Sequence, residues 1–265
     1  VANPWSPHLI AARSAGTKRV LLAGDAGHQY IPTGGYGMNT GIADAYGAAW
    51  VIAAMIKGFG GPGLADGYKQ ERLPIWVYNR DAAERHNNLR VHTAGLYVSQ
   101  GERLEFSGTK GDQTRAMMSA ELARLGNAEA ESLGIEMGYH YQGTSPIVAV
   151  EPGAEVPFHP DFYTCHTVPG GRLPSLYLAN GDAVYDLLGR WFTLLAMGEA
   201  DTSPAVEVAS RRGIPLKVVR IADAHARQVY AADLLLVRPD QHIAWRGTAL
   251  DQGQAEKVLA MATGW

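Results

Sequence analysis

A glycine-rich segment near the start of the chain carries the residues best suited to bind a polar ligand. A hydrophobic run ends at Gly24-Asp25, a loop rich in proline and glycine follows, and an alanine- and glycine-rich helical pattern begins near Met38. Glycines let a backbone approach a ligand closely, and a helix N-terminus offers N–H donors with partial positive charge. The Asp25 carboxylate can accept hydrogen bonds from hydroxyl groups. The segment therefore predicts a site for a polar, partly anionic cofactor.

Each of these residue types also has a purely structural interpretation. Asp25 could cap the following loop, and the glycines Gly34, Gly35 and Gly37 could form turns that contact no ligand. We expect His28 to be a structural hydrogen bonder rather than a catalytic base. The catalytic residues are unknown from the sequence. No spacing of histidine and cysteine fits a zinc motif, so we predict no metal site.

The elements around the segment follow from apolar periodicity. Residues Lys18 to Ala23 predict a buried strand, and the stretch from Asn39 to about Lys57 predicts a helix buried on most faces. A second helical stretch runs from Leu64 to Arg90, in which Pro74 should start a new helix or kink this one. Residues 112–133 predict a further helix.

After an extended connection over residues 134–153, the predicted elements become short and alternate between strands and helices. The predicted strands there are Leu176–Ala179, Trp191–Ala196, Leu216–Ile221, Asp233–Arg238 and His242–Arg246. Ser203-Pro204 predicts the N-cap and first position of a helix that reaches Arg212 and is closed by Gly213. Asp251 with Gln254 is typical of a capping box for a last helix.

Composition limits the class of protein. With 46% apolar residues, 18% charged residues and a net charge of −3, the chain is typical of a globular protein and offers no basic excess for nucleic acid. No run approaches the ~18 apolar residues that a membrane span needs. The single cysteine, Cys165, excludes an internal disulfide and favours the cytoplasm.

The glycine-rich segment resembles the second FAD-binding motif of the class A flavoprotein aromatic hydroxylases, the group that contains p-hydroxybenzoate hydroxylase and phenol hydroxylase. Nine positions over sixteen residues fall in register with Gly-Asp-Ala-x-His, x-x-Pro-x-x-Gly-x-Gly-Met/Leu-Asn: Gly24, Asp25, Ala26, His28, Pro32, Gly35, Gly37, Met38 and Asn39. A second resemblance is to the family's Y-x-x-E-R-x-P-x-x-x-x-N segment, at Tyr68, Glu71, Arg72, Pro74 and Asn79-Arg80.

The resemblance implies FAD as cofactor, NAD(P)H as co-substrate, and hydroxylation of a phenolic or polyketide-type aromatic ring with O₂ through a C4a-hydroperoxyflavin. The implied FAD-binding residues are Gly24, Asp25, Pro32, Gly34, Gly35, Gly37, Met38 and Asn39. Amides at Gly37, Met38 and Asn39 would stabilise the reduced flavin, and Asp25 would accept from the ribityl chain. The backbone from Pro32 to Gly35 would wall the flavin ring.

The implied fold class is α/β, with the C-terminal part of a Rossmann-like FAD-binding domain over residues 1–145 and a thioredoxin-like domain over residues 146–265. The family's Gly-x-Gly-x-x-Gly fingerprint is not found before Arg19, so we expect an N-terminal remainder of the same enzyme as a partner. A homodimer is also expected, with an aromatic small molecule as substrate and neither nucleic acid nor membrane as partner.

Two alternatives stay open. The chain could be a non-catalytic dimerisation or scaffold module derived from such an enzyme, because the pyrophosphate loop is not seen. Related folds also carry out epoxidation, Baeyer–Villiger oxidation and halogenation. The choice between NADH and NADPH is not decided by the sequence.

Overall fold

The computed structural model describes residues 10–17, 19–127 and 130–265. It combines a helical N-terminal part with a C-terminal part built on a four-stranded sheet. The N-terminal elements are β1 (Ile10–Ala11), β2 (His28–Gln29), α1 (Tyr36–Ile56), α2 (Gly63–Leu104), α3 (Thr109–Leu125) and α4 (Leu133–Met137). The mixed α/β class predicted from the sequence is confirmed.

The predicted strand over residues 18–23 is not formed among the described residues; Lys18 lies outside them. Leu21 makes only an isolated bridge to Gly16. The N–H of Leu22 donates to Ala15, and its carbonyl accepts from the Tyr68 hydroxyl at 2.6 Å. This backbone is therefore satisfied by a local turn and one side chain rather than by a strand ladder. The short strands β1 and β2 pair antiparallel nearby.

The helices differ from the prediction in several bounds: α2 ends at Leu104 rather than Arg90, and the short helix α4 lies at the start of the connection predicted to be extended over residues 134–153. Pro74 does not start a new helix, since α2 runs through it, and a kink of α2 at this position stays a prediction. The side chains of Arg72 and Trp76, on either side of Pro74, both donate to Asp44 and so connect α2 to α1 around the proline. The helix predicted over residues 112–133 ends earlier, because Gly126 adopts a φ of +70° that stops α3.

The C-terminal part contains α5 (Val184–Leu187), β3 (Phe192–Met197), α6 (Ser203–Arg212), β4 (Leu216–Ile221), α7 (Ala224–Tyr230), β5 (Leu234–Val237), β6 (Ile243–Gly247) and α8 (Gln252–Ala262). The strand order is β4-β3-β5-β6, with β3 and β4 parallel and the other pairs antiparallel. Every residue of β3 is buried, as a central strand covered on both faces requires.

Several local signals in this part are confirmed and two are wrong. The Asp251–Gln254 capping box is formed, and Gly213 ends α6 in the left-handed conformation. Ser203 is the first helical residue rather than the N-cap, which is Thr202, and the Ser203 N–H donates to the Asp201 carboxylate at 2.9 Å. The predicted strand at 176–179 is reduced to a single bridge, Tyr177 to Ala183.

One hydrophobic cluster joins the two parts. It contains Trp50 from α1, Tyr68 and Trp76 from α2, and Phe192 and Leu194 from β3. The alternate β3 residues Leu195 and Met197 enter a second cluster on the opposite face of the sheet. The core is thus continuous across the helical part and the sheet, and the division near residue 145 stays a prediction.

Candidate functional site

The glycine loop, residues 24–38, contains the 3₁₀ turns Gly24–Ala26 and Thr33–Gly35 on either side of β2, and it ends in the first turn of α1. Gly34 and Gly35 have φ angles of +79° and +70°, in the left-handed region that favours glycine. A Cβ on Gly34 would lie 2.4 Å from the Tyr36 ring, whereas one on Gly35 or Gly37 would meet nothing within 4 Å. The loop is therefore tightly packed at Gly34 and open at Gly35 and Gly37.

The first turn of α1 offers backbone donors beside this open surface. The helix begins at Tyr36, with Gly35 as N-cap and no side-chain cap. Because α-helical hydrogen bonds join each N–H to the carbonyl four residues earlier, the first such bond belongs to Asn39, and the N–H groups of Gly37 and Met38 precede it. The Asn39 side chain instead donates to the Gly35 carbonyl at 2.9 Å. The geometry favours Gly37 and Met38 as amide donors.

Asp25 projects from the other end of the loop. It is exposed and lies in the 3₁₀ turn Gly24–Ala26, which has no side-chain cap. Among the residues that the structure describes, no donor binds its carboxylate. The capping interpretation of Asp25 thus finds no support, and this carboxylate is available to a ligand.

Most of the predicted site residues lie on the outer surface, and two of them line a cavity. Asp25, Pro32, Gly35, Met38 and Asn39 are exposed. A cavity of about 360 Å³ lies between α1, α2 and α4, and of the predicted residues only Gly34 and Asn39 line it. Its other polar lining residues include Thr40, Arg72, Asn79 and Tyr139.

Beneath the loop lies a buried carboxylate that the sequence reasoning missed. Asp44 of α1 is fully buried, and each of its oxygens accepts two hydrogen bonds. One oxygen binds the Gly24 N–H at 3.0 Å and His28 Nε2 at 2.8 Å. The other binds Arg72 Nε at 2.7 Å and Trp76 Nε1 at 2.9 Å. A carboxylate among the small residues of a helix predicted to be buried is the signal that could have found it.

The donors around Asp44 decide its ionisation. Burial opposes the charged form, but the hydrogen bond from His28, the Arg72 guanidinium and the Trp76 indole together outweigh burial and hold the pKa of this carboxyl below its ordinary value. Because an ionised carboxylate only accepts, His28 donates through Nε2. His28 is therefore a hydrogen bonder within the fold, as expected, and it stacks on Tyr30 with ring centroids 4.6 Å apart.

A second buried charge cluster joins α2 to the sheet. Arg238, after β5, binds Glu71 with Nη2 to Oε2 at 2.8 Å, and Asp240 with Nη2 to Oδ2 at 2.6 Å. Ser145 also donates to Glu71. Glu71 precedes Arg72 in α2, so neighbouring residues of one helix contact the sheet and, through Asp44, the glycine loop. Arg72 in addition donates to the Tyr141 hydroxyl at 3.0 Å.

The described residues contain no group of three or more His, Cys, Asp or Glu side chains that could hold a metal ion. Within the same ranges, no helix combines the length and apolarity that crossing a bilayer requires.

Two known protein families match parts of this chain. Residues 2–82 match the FAD binding domain family, and residues 166–265 match the family described as aromatic-ring hydroxylase, C-terminal. The glycine loop lies within the first match, and the four-stranded sheet lies within the second. The chain belongs to the FAD-dependent aromatic-ring hydroxylases, as the resemblance of its motifs predicted.

Individual relatives agree with this family. An FAD-dependent monooxygenase of Emericella nidulans is 38% identical over 100% of this chain and 44% of the relative. A phenol 2-monooxygenase of a Pseudomonas species is 30% identical over 88% of this chain and 43% of the relative. The solved structure of the flavin-dependent monooxygenase PieE in complex with FAD and substrate matches with a TM-score of 0.78 and 28% identity, covering 95% of this chain and 48% of that one. The chain spans about half the length of the curated relatives it matches.

Proposed function

We propose that this chain contributes the second half of the flavin site of a monooxygenase that hydroxylates a phenolic or polyketide-type aromatic ring with NAD(P)H and O₂. One observation carries the proposal: an exposed carboxylate without a partner in the described structure and an open, uncapped helix N-terminus stand at the two ends of one glycine loop. The name of the phenol 2-monooxygenase relative supports the substrate class.

The residues present suit FAD. The N–H groups of Gly37 and Met38 would donate to the edge of the flavin that becomes anionic on reduction, where the partial positive charge of the helix end adds to their effect. Asp25 would accept from ribityl hydroxyls. Pro32, Gly34 and Gly35 would form the wall beside the ring, while Gly24 and Asn39 would fix the two ends of the loop. Bound FAD supplies the redox and oxygen chemistry of the reaction.

The remaining half of the site would come from a further part of the same enzyme. Exposed apolar side chains along α1 support such a partner, because large apolar surfaces are seldom left in water. They are Met38, Ile42, Tyr46, Ile52 and Ile56, exposed by 74%, 60%, 53%, 47% and 80%. We propose that the part of the relatives that this chain does not span covers this face. A homodimer is proposed on the family resemblance alone.

The C-terminal part supports a thioredoxin-like domain over residues 146–265. From β3 to α8 the element order is βαβαββα, with the second, first, third and fourth strands adjacent in that order. This order and this strand arrangement would correspond to a thioredoxin-like fold, which stays a proposal. Cys165 is the only cysteine of the chain, so a dithiol reaction is excluded. The exposed free thiol of Cys165 supports a cytoplasmic location.

Substitution of Asp25 tests the proposal directly. In the full-length flavoprotein, Asp25→Ala should raise the FAD dissociation constant about ten- to hundred-fold, because a hydrogen bond to a charged group contributes roughly 1.5–3 kcal/mol. Asp186→Ala is the matched control, since Asp186 is an exposed aspartate of α5 in the C-terminal part. The measurement is a fluorescence titration of apoprotein with FAD.

The wild-type protein decides between the two function classes in the same experiment. A yellow preparation that oxidises NAD(P)H with an aromatic substrate supports the hydroxylase. A full-length wild type that binds no FAD contradicts the proposal and supports the scaffold module. Equal FAD affinity for Asp25→Ala and Asp186→Ala would remove Asp25 from the site.

A further inference from the structure

We propose that Asp44 is the positioning residue of the glycine loop: it contacts no cofactor, and it sets the direction of Asp25 by binding the backbone before it and the imidazole after it. The inference rests on the proposed function, since it concerns the same flavin site. It adds a residue that lies outside the recognised motif and beneath the loop rather than on its surface.

The two oxygens of Asp44 have separate tasks. Among the described residues, Oδ2 binds only the loop, through the Gly24 N–H and His28 Nε2, and Oδ1 binds only α2, through Arg72 and Trp76. One carboxylate thus joins the loop to the longest helix of the described structure. Because all four partners are donors, only a side chain that accepts at both ends satisfies them.

The loop contacts of Asp44 enclose the turn that carries Asp25. Gly24 immediately precedes Asp25, and His28 follows it by three residues. Gly24 itself has a φ of +56°, and a Cβ on Gly41 of α1 would lie 3.3 Å from the Gly24 Cα atom, so the turn is pressed against the helix. With both ends of the turn fixed to Asp44, the direction of the Asp25 carboxylate depends on Asp44.

The helix contacts of Asp44 extend this support to the C-terminal sheet. Arg72 binds Asp44 and the Tyr141 hydroxyl, and the neighbouring Glu71 binds Arg238 at the end of β5. Glu71 is a buried carboxylate like Asp44, 3% exposed, but it contacts none of the loop residues among its described partners. This difference makes Glu71 a matched control for burial and charge.

The test compares Asp44→Asn with Glu71→Gln in the full-length flavoprotein. In Asp44→Asn, an amide nitrogen replaces one of the two carboxylate oxygens. This nitrogen faces two donors, so the two hydrogen bonds to the replaced oxygen are lost. We expect both variants to lower the melting temperature, because each disrupts a buried charge cluster. Only Asp44→Asn should raise the FAD dissociation constant, by about ten-fold or more, and shift the visible absorption bands and reduction potential of the bound flavin.

A second variant keeps the proposal testable if Asp44→Asn does not fold. His28→Gln alters a single loop contact of Asp44 and should weaken FAD binding by about three-fold or more, with the same direction of spectral shift. Trp76→Phe removes one contact on the helix side and should leave FAD affinity within about two-fold of wild type.

The outcomes are distinct. If wild type binds FAD while Asp44→Asn or, where that variant does not fold, His28→Gln binds it with unchanged affinity and spectrum, the positioning role is overturned and the proposed function stands. If Glu71→Gln disturbs the flavin as much as Asp44→Asn, the role of Asp44 is only structural and the inference fails. If wild type binds no FAD, the proposed function fails and this inference fails with it.

Discussion

The glycine loop is held by a buried carboxylate, whereas the C-terminal sheet is held by apolar side chains. Asp44 accepts four directional hydrogen bonds around the loop, and β3 buries every side chain between two hydrophobic clusters. Hydrogen bonds to a charge fix both the distance and the angle of their partners, while apolar contacts fix mainly the volume that is filled. The first kind of support suits a surface that must present donors and acceptors to a ligand.

The two kinds of support separate stability from ligand geometry. A cavity in the sheet should lower the stability of the fold without moving the loop, because a cavity removes contacts mainly from the atoms that line it. A change at the buried carboxylate should affect both. Variants in the C-terminal part test whether the stability of the fold can be changed without a change in FAD binding.

The largest effect is expected from Leu195→Ala. Leu195 is fully buried in the cluster on the far face of the sheet. The substitution should lower the free energy of unfolding by about 2–5 kcal/mol, measured by urea titration, with an unchanged FAD dissociation constant. Val206→Ala, at a side chain of α6 exposed by 43%, is the control and should change little. Loss of FAD binding in folded Leu195→Ala would show that the two regions are not separable.

Acid should affect the two regions in different pH ranges. Burial, followed by the charges of His140 and Arg246, lowers the pKa of His166 to about 4. The unfolded chain therefore binds a proton at His166 between about pH 6.5 and pH 4 that the folded chain excludes, and stability should fall over that range by about 1–2 kcal/mol, less than the full pKa shift implies because the ring is only partly buried. Asp44, whose pKa lies below its ordinary value, should lose its contribution only below about pH 4.

The pH dependence of urea unfolding checks this difference. In His166→Gln, the decline between about pH 6.5 and pH 4 should become shallower, while the loss below about pH 4 should remain. The same decline in wild type and His166→Gln would contradict the assignment to His166.

The smallest effect is expected at the last helix. Asp251→Ala removes the capping box of α8 and should lower the free energy of unfolding by about 1 kcal/mol, with no change in FAD affinity. Arg212→Ala, which removes an exposed ion pair with Glu256, should have no measurable effect on thermal unfolding. A larger loss for Arg212→Ala than for Asp251→Ala would reverse the expected order.

Local patterns predicted the C-terminal part well. The strand at Leu216–Ile221 has the predicted bounds, and the helix that ends at Arg212 begins only one residue earlier than predicted, because apolar alternation, the first-turn proline and the closing glycine act over a few residues. The predicted strand over residues 18–23 failed in the other part, where the Leu22 carbonyl accepts from Tyr68, a residue far along the chain. Such a partner leaves no trace in local periodicity.

The candidate site also contains residues that local patterns predicted and one that they missed. The surface residues of the loop were predicted from glycines and a motif that are contiguous in sequence, and their role in binding FAD stays a prediction. Asp44 was missed because its four donors come from two separate segments, one on either side of it in sequence. The region around Pro74 shows the same limit: α2 continues through this proline, and the side chains of Arg72 and Trp76 on either side of it bind Asp44 in another helix.

A crystal structure of the full-length protein with FAD tests the central claim most directly. The account predicts that the N–H groups of Gly37 and Met38 lie within hydrogen-bond distance of the flavin ring edge and that the Asp25 carboxylate accepts from a ribityl hydroxyl. A flavin bound elsewhere, with the Asp25 carboxylate and the first turn of α1 facing only water, would contradict it.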